Sequence, residues 1–240
     1  MSTATIYADT TDGRLRSAHN TYSSANTGAN LAADPSSSQL YVGQVYDTGD
    51  DPDYTLDNLF FGFDTGTALP DTCTVDSVTA YLYIDGADTP RTWSIEMRLY
   101  DWGGSLTTAD WASGSTLSSA TLLASIAASS VGGAGLKTLT SETAFKSAVS
   151  KTGYTYVCVT SSRFTTASAP SDYERAYVSM AERGGSYRPK LVIEYTEAAS
   201  GIGKLAWWLS AARWRSLWDP RPSGLLLPRS GGLLLPDTAI

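Results

Sequence analysis

The sequence predicts an all-β protein, a jelly-roll-like antiparallel β-sandwich over residues 1–196 with one short helix. Three observations predict it. Apolar residues make up 42% and charged residues 17% of the 240, the balance of a chain that packs a core. Thr, Ser, Tyr and Gly are abundant, as β-structure and its turns prefer, and long runs of Leu, Glu and Lys at helical spacing are absent. Short runs of alternating hydrophobicity recur between turn-rich segments, with no interleaved helices of the kind a βαβ fold requires.

The elements follow in chain order. Leu40 to Tyr46 reads as an early strand. Leu59, Phe60, Phe61, Gly62 and Phe63 are apolar on both faces, as in a central strand. Val78, Ala80, Leu82 and Ile84 alternate with Thr79, Tyr81 and Tyr83, and Asp85-Gly86 closes that run as a turn. Trp93, Ile95, Met97 and Leu99 alternate with Ser94, Glu96, Arg98 and Tyr100, which places one face in the core and Trp93 with it. Tyr154 to Thr160, Arg175 to Met180 and Leu191 to Tyr195 read the same way. Asp47 to Asp53 and Gly132 to Gly135 are turns. A helix is expected from Ser141, as N-cap, to Ser150, with Gly153 just beyond it, and a helical turn around Asp110-Trp111.

The character changes after Glu197. Residues 197–203 read as a linker and residues 204–218 as a Trp-rich helix. On that helix Trp207, Ala211, Trp214 and Trp218 fall on one stripe, while Leu205, Leu209 and Leu217 lie elsewhere on the wheel. Residues 219–240 repeat an eight-residue unit, Ser223 to Ser230 and then Gly231 to Thr238. Pro228 and Pro236 interrupt any helix there and predict extended arms.

Charge divides the chain at the same place. Residues 1–200 carry 12 Lys/Arg against 22 Asp/Glu, whereas residues 201–240 carry 5 against 2. An acidic body repels phosphate backbones, so nucleic acid is not an expected partner. Met1 to Ile6 shows neither a basic n-region nor an apolar h-region, so assembly in a cytoplasm without a signal peptide is expected. No stretch approaches the roughly 18 apolar residues of a membrane span. Cys73 and Cys158, each beside a strand-like run, read as small core residues rather than a disulfide.

Two stretches resemble a known family. Phe61-Gly-Phe-Asp-Thr-Gly-Thr-Ala-Leu-Pro70 with Val75-Asp-Ser-Val-Thr-Ala-Tyr-Leu-Tyr83 is similar to the "FDLS-x-LP … V-x-SA-x-L-x-LY" core of DNRLRE-type domains. Tyr177 to Arg183 with Arg188 to Tyr195 is similar to that family's closing "S-x-E … RP-x-L-x-V-x-Y". The resemblance spans residues 5–196 and implies a jelly-roll sandwich like that of carbohydrate-binding modules, found in secreted surface proteins and phage structural proteins. It brings no catalytic set, and the Trp-rich tail is not part of its pattern.

The residues themselves point to binding rather than catalysis. The single histidine, His19, would have to serve any Ser-His-Asp triad, and no Gly-x-Ser-x-Gly elbow exists. Glu96, Asp101 and Asp110 near Trp102 and Trp111 are the candidate glycosidase carboxylates, which an acidic surface also supplies by accident. No enzymatic activity and no cofactor are expected. A structural calcium held by Asp47, Asp50, Asp51 and Asp53 is the one metal the sequence suggests, against the default of a solvated acidic turn. Trp102, Trp111 and the Tyr-rich outward strand faces can stack on sugar rings. The tail offers an interface: Trp207, Trp208, Arg213, Trp214, Arg215 and Trp218 are anchor types, and Leu225, Leu226, Leu227, Leu233, Leu234 and Leu235 are apolar arms. The polar residues Lys204, Ser210, Arg213 and Ser216 scatter around the wheel, which favours a protein partner over a membrane surface. The expected function is a non-enzymatic structural protein of a phage virion, a head decoration or tail component. It would be held to other virion proteins or identical subunits by residues 201–240. The alternative is a carbohydrate-binding adhesion module on a virion or cell surface, with host-surface glycans as partners.

Overall fold

β5 (Asp53–Asp64) is apolar on both faces, and the fold buries both. Leu59, Phe61 and Phe63 enter the main core, while Leu56 and Phe60 enter a second, smaller one. Successive strand residues point to opposite faces, so such a strand needs a cover on each side. β10 (Tyr154–Ser161) repeats the pattern, with Val157 and Val159 in the main core and Cys158 in the second.

The computed structural model describes residues 1–49, 53–89 and 91–198. Besides β5 and β10 the strands are β1 (Ser2–Tyr7), β2 (Gly13–His19), β3 (Ala32–Asp34), β4 (Gln39–Asp47) and β6 (Thr74–Ala87). β7 (Ser94–Leu99), β8 (Leu122–Ala127), β9 (Gly135–Ser141), β11 (Tyr173–Ser179) and β12 (Lys190–Thr196) complete the set. Every pairing is antiparallel. The short helices are α1 (Tyr22–Thr27), α2 (Thr65–Ala68), α3 (Gly114–Ser119), α4 (Phe145–Ala148) and α5 (Ser162–Thr165).

The ladder closes on itself: β6, β11, β4, β5, β10, β7, β8 and β9 pair in turn, and β9 returns to β6. At β5 the circuit changes layer. Asp53 to Asp57 pair with β4 and Leu59 to Asp64 with β10, while β2 pairs along Tyr54 to Phe60. A strand has only two edges, so β4 and β10 share one and β2 takes the other. β12 and then β1 extend from β6, and Ala8 reaches across to bridge Phe63. Bulges at Tyr177/Val178 and Met97/Arg98 add the local bend that such closure requires. The result is an antiparallel sandwich-like barrel that leaves few free strand edges.

The cores explain the composition. Ile95, Met97, Leu82, Ile84, Val178, Leu191 and Ile193 are fully buried inside the circuit. Trp93 joins them, as its alternation predicts. Outside β5 and β10, Ala25 of α1, Leu117 of α3, Phe164 of α5 and the Trp102 side chain cover the second core. Cys73 and Cys158 are free and buried in different cores, which bears out their reading as core residues.

Several local expectations need correction. β6 does not turn at Asp85-Gly86; it runs on to Ala87, and Asp85 falls in the bulge where Tyr177 pairs with Gly86 and Val178 with Ile84. The helix expected at residues 141–150 shrinks to α4, because Ser141 still belongs to β9 and Ala144 takes the N-cap place. Leu99 is exposed at the end of β7 rather than buried with Met97. The helical turn expected around Asp110, by contrast, is present as a 3-10 turn, Thr108–Asp110, closed by a reciprocal Thr107–Asp110 capping box. The expected Trp-rich helix at residues 204–218 and the arms at residues 219–240 lie outside the described residues.

Candidate binding cleft

The outward face of β4, β11 and β6 carries the most site-like group of side chains. Leu40 and Val42 of β4 and Ala176 and Val178 of β11 point inward, so Tyr41, Arg175 and Tyr177 point out. Tyr41 and Tyr177 are direct cross-strand partners, with ring centroids 4.4 Å apart. Arg175 pairs with Gly43, where a Cβ would meet the Glu174 carbonyl at 2.3 Å, so the backbones approach too closely for any other residue. With no side chain opposite it, the Arg175 guanidinium lies 4.0 Å over the Tyr41 ring and 4.9 Å from that of Tyr173. Its Nε donates to Asp88 Oδ2 at 2.9 Å.

These residues wall an open cleft of about 450 Å³. Arg91 stands at its rim and donates from Nε and Nη2 to the Ala87 carbonyl, at 3.2 and 2.9 Å. Among the described residues no carboxylate forms an ion pair with Arg91. Gly86 and Gly132 also line the cleft, and a Cβ on either would have nothing within 4 Å. Two missing side chains therefore keep this space empty.

Asp85 forms the inner wall. Its Oδ2 accepts from Gln39 Nε2 at 2.7 Å, Arg183 Nη1 at 2.7 Å and Ser179 Oγ at 3.2 Å. Burial alone would raise this carboxyl, but the hydrogen bonds from Arg183, Gln39 and Ser179 outweigh it and hold it below the ordinary carboxylate value. Beyond the cleft the same face continues the theme. Arg183 lies 4.1 Å from the Tyr187 ring centre, Tyr187 meets Tyr83 edge-on, and Lys190 sits 5.2 Å over Tyr81. Planar cations, carboxylates and π faces in alternation suit recognition of a polar ligand with apolar ring faces.

The residues singled out from sequence land elsewhere. Trp102 is 4% exposed, edge-on to Phe60 and Tyr156, and therefore offers no free ring face to a sugar. Trp111 is half-buried against Phe164 and donates from Nε1 to the Asn26 carbonyl. Glu96 is tied to Arg98 at 2.8 Å, Asp110 caps Thr107, and Asp101 accepts from the Gly103 amide. His19 accepts the Thr21 amide on Nδ1. Asp47 and Asp53 face each other across the β4–β5 hairpin, while Asp50 and Asp51 lie outside the described residues. The interface residues Trp207, Trp208, Arg213, Trp214, Arg215, Trp218, Leu225, Leu226, Leu227, Leu233, Leu234 and Leu235 also lie outside them. The sequence signalled the cleft only as Tyr-rich outward faces; Arg91, Asp88 and the bulged Asp85 gave no separate signal.

One further group lies away from the cleft. Asp12 is fully buried and accepts the Ala181 amide at 2.9 Å, leaving Oδ1 without a partner. Burial pushes its carboxyl up to about 8 against the opposing pull of that amide, and the neighbouring Glu182 carboxyl adds to the rise. Burial beside Glu182 thus favours the protonated form of Asp12.

Comparison with known protein families finds no matching family model, and comparison with curated proteins finds no match.

Proposed function

We propose that the chain is a non-enzymatic structural component of a phage virion, a head decoration or tail component. Its β-domain faces outward, and residues 201–240 hold it to neighbouring subunits. The observation that carries this reading is the tail's composition: four tryptophans and six Leu-repeat leucines within 40 residues, interspersed with Arg213 and Arg215. So much apolar side chain calls for a partner surface, and Trp with Arg are the usual anchors of one. Each large apolar side chain that becomes fully buried contributes roughly 1.5–3 kcal/mol, so several together would make attachment long-lived. Kinship with DNRLRE-type jelly rolls belongs to the same proposal. The segments that carry the resemblance lie on the end of β5 with α2, on β6, on the end of β11 and on β12. Replacing Trp207, Trp214 and Trp218 together by Ala should abolish incorporation into particles while leaving the β-domain folded; unaltered incorporation contradicts the reading.

A second reading is supported by the cleft. A carbohydrate-binding adhesion module would use the Tyr41–Arg175–Tyr177 face, with the sugar site on that side of the domain rather than at Trp102. The two readings are compatible, since an outward-facing virion protein is well placed to meet a surface glycan. Screening the full chain against a broad glycan array tests it, and an empty array contradicts it.

A further inference from the structure

We propose that the cleft between Tyr41, Arg91 and Arg175 takes an acidic saccharide, with the sugar carboxylate on Arg91 and sugar rings against Tyr41 and Tyr177. This deepens the adhesion-module reading and rests on it. Four observations choose the ligand class. The nine lining residues comprise four charged side chains, two tyrosines and three of Gly or Ala, too polar a wall for an apolar small molecule. The Asp88–Arg175 pair sets a fixed acceptor beside fixed donors, which matches neighbouring hydroxyls on one pyranose ring. Tyr41 and Tyr177, layered on each other with Arg175 over Tyr41 and both only half-buried, offer ring edges and hydroxyls to such a ring.

Arg91 supplies the acidic preference. Its Nε and Nη2 are committed to the Ala87 carbonyl, and Nη1 makes no hydrogen bond among the described residues. The guanidinium is thus held in place as a cation that forms no ion pair among the described residues, in a body whose net charge is negative. A pre-positioned cation of this kind captures a carboxylate without first having to be ordered. Gly86 gives the proposal a clean probe, because a side chain there enters the empty cleft and meets no protein atom within 4 Å of its Cβ.

The experiment is calorimetric titration of the full chain with trigalacturonate and 3′-sialyllactose, set against galactotriose and lactose as neutral counterparts. At least one acidic saccharide should bind saturably, about tenfold or more tighter than its neutral counterpart. Gly86→Gln should weaken that binding by about tenfold or more, with an unchanged thermal transition reporting an intact fold. Arg91→Gln should reduce acidic affinity to the neutral level, and Trp111→Ala should leave it alone. Equal binding of acidic and neutral sugars overturns the acidic class but leaves the adhesion reading standing. Acidic binding that ignores both Gly86→Gln and Arg91→Gln overturns the cleft as the site. No binding of any saccharide overturns both the proposal and the reading beneath it.

Discussion

The two outer flanks of the β-domain carry similar aromatic residues in opposite roles. Over β5 and β10, Phe60, Trp102, Trp111, Tyr156 and Phe164 pack edge-on to one another beneath α1, α3 and α5. Over β4, β11 and β6, Tyr41, Tyr177, Tyr173 and Arg175 layer on each other, and among the described residues no helix joins their cluster. Connectivity accounts for the difference. The connections β2–β3, β7–β8 and β10–β11 each insert a helix that folds back over the first flank. Among the described residues the connections β4–β5 and β6–β7 contain no helix, and none of these residues closes the cleft on the second flank. Aromatic content alone therefore does not mark a binding face in this fold; the length and content of the connections decide it.

The covered flank should respond most to truncation. Trp102→Ala removes a buried indole from a closed cluster and should lower the unfolding free energy by about 3–5 kcal/mol, measured by urea denaturation. It should leave saccharide affinity unchanged. Equal loss of affinity would mean that the two flanks are coupled, and would break the comparison.

pH separates buried charge from the open cleft. Asp12 is raised when folded, so between about pH 4 and pH 8 the folded chain holds a proton that the unfolded chain releases. Its stabilisation is complete at the acid end and is lost as pH rises through about 8, with an upper bound of about 6 kcal/mol. Denaturation midpoints at pH 5 and pH 8.5 should show this fall, and Asp12→Asn should flatten it. Asp85 works in the opposite sense. Its lowered carboxyl adds stability that is present above the ordinary carboxylate range and disappears as pH falls below it.

The open flank should respond least. Tyr177→Ala removes one cross-strand aromatic pair and should cost about 1 kcal/mol or less, while weakening any ligand of the cleft. Arg175→Gln gives up a partly exposed ion pair and one cation–π contact, again about 1 kcal/mol or less by thermal denaturation. A loss of several kcal/mol at either position would show that this face is structural.

Much of the fold was legible because its inner strands are strongly periodic. β6, β7, β10, β11 and β12 all lie where alternation placed them, and the two-sided apolarity of Leu59 to Phe63 marked the strand that joins the layers. β1, β8 and β9 escaped because they are drawn largely from Ser, Ala, Thr and Leu, with little contrast between faces. The site was legible only in part. Outward tyrosines follow from the same alternation, but the cleft depends on pairing β11 with both β4 and β6, contacts separated by 89 to 140 residues. A bulge that turns Asp85 into the wall has no signature in Asp85-Gly86, which reads as a turn. Trp102 misled for the complementary reason: a tryptophan in a loop reads as exposed until the loop folds back.

The claim that residues 201–240 are an assembly device is tested most directly by solution mass. Light scattering on the full chain, beside a chain ending at Ala198, should give a defined oligomer for the first and a folded monomer for the second. Two monomers at the same concentration would contradict the account and leave the β-domain with only its cleft as a route to function.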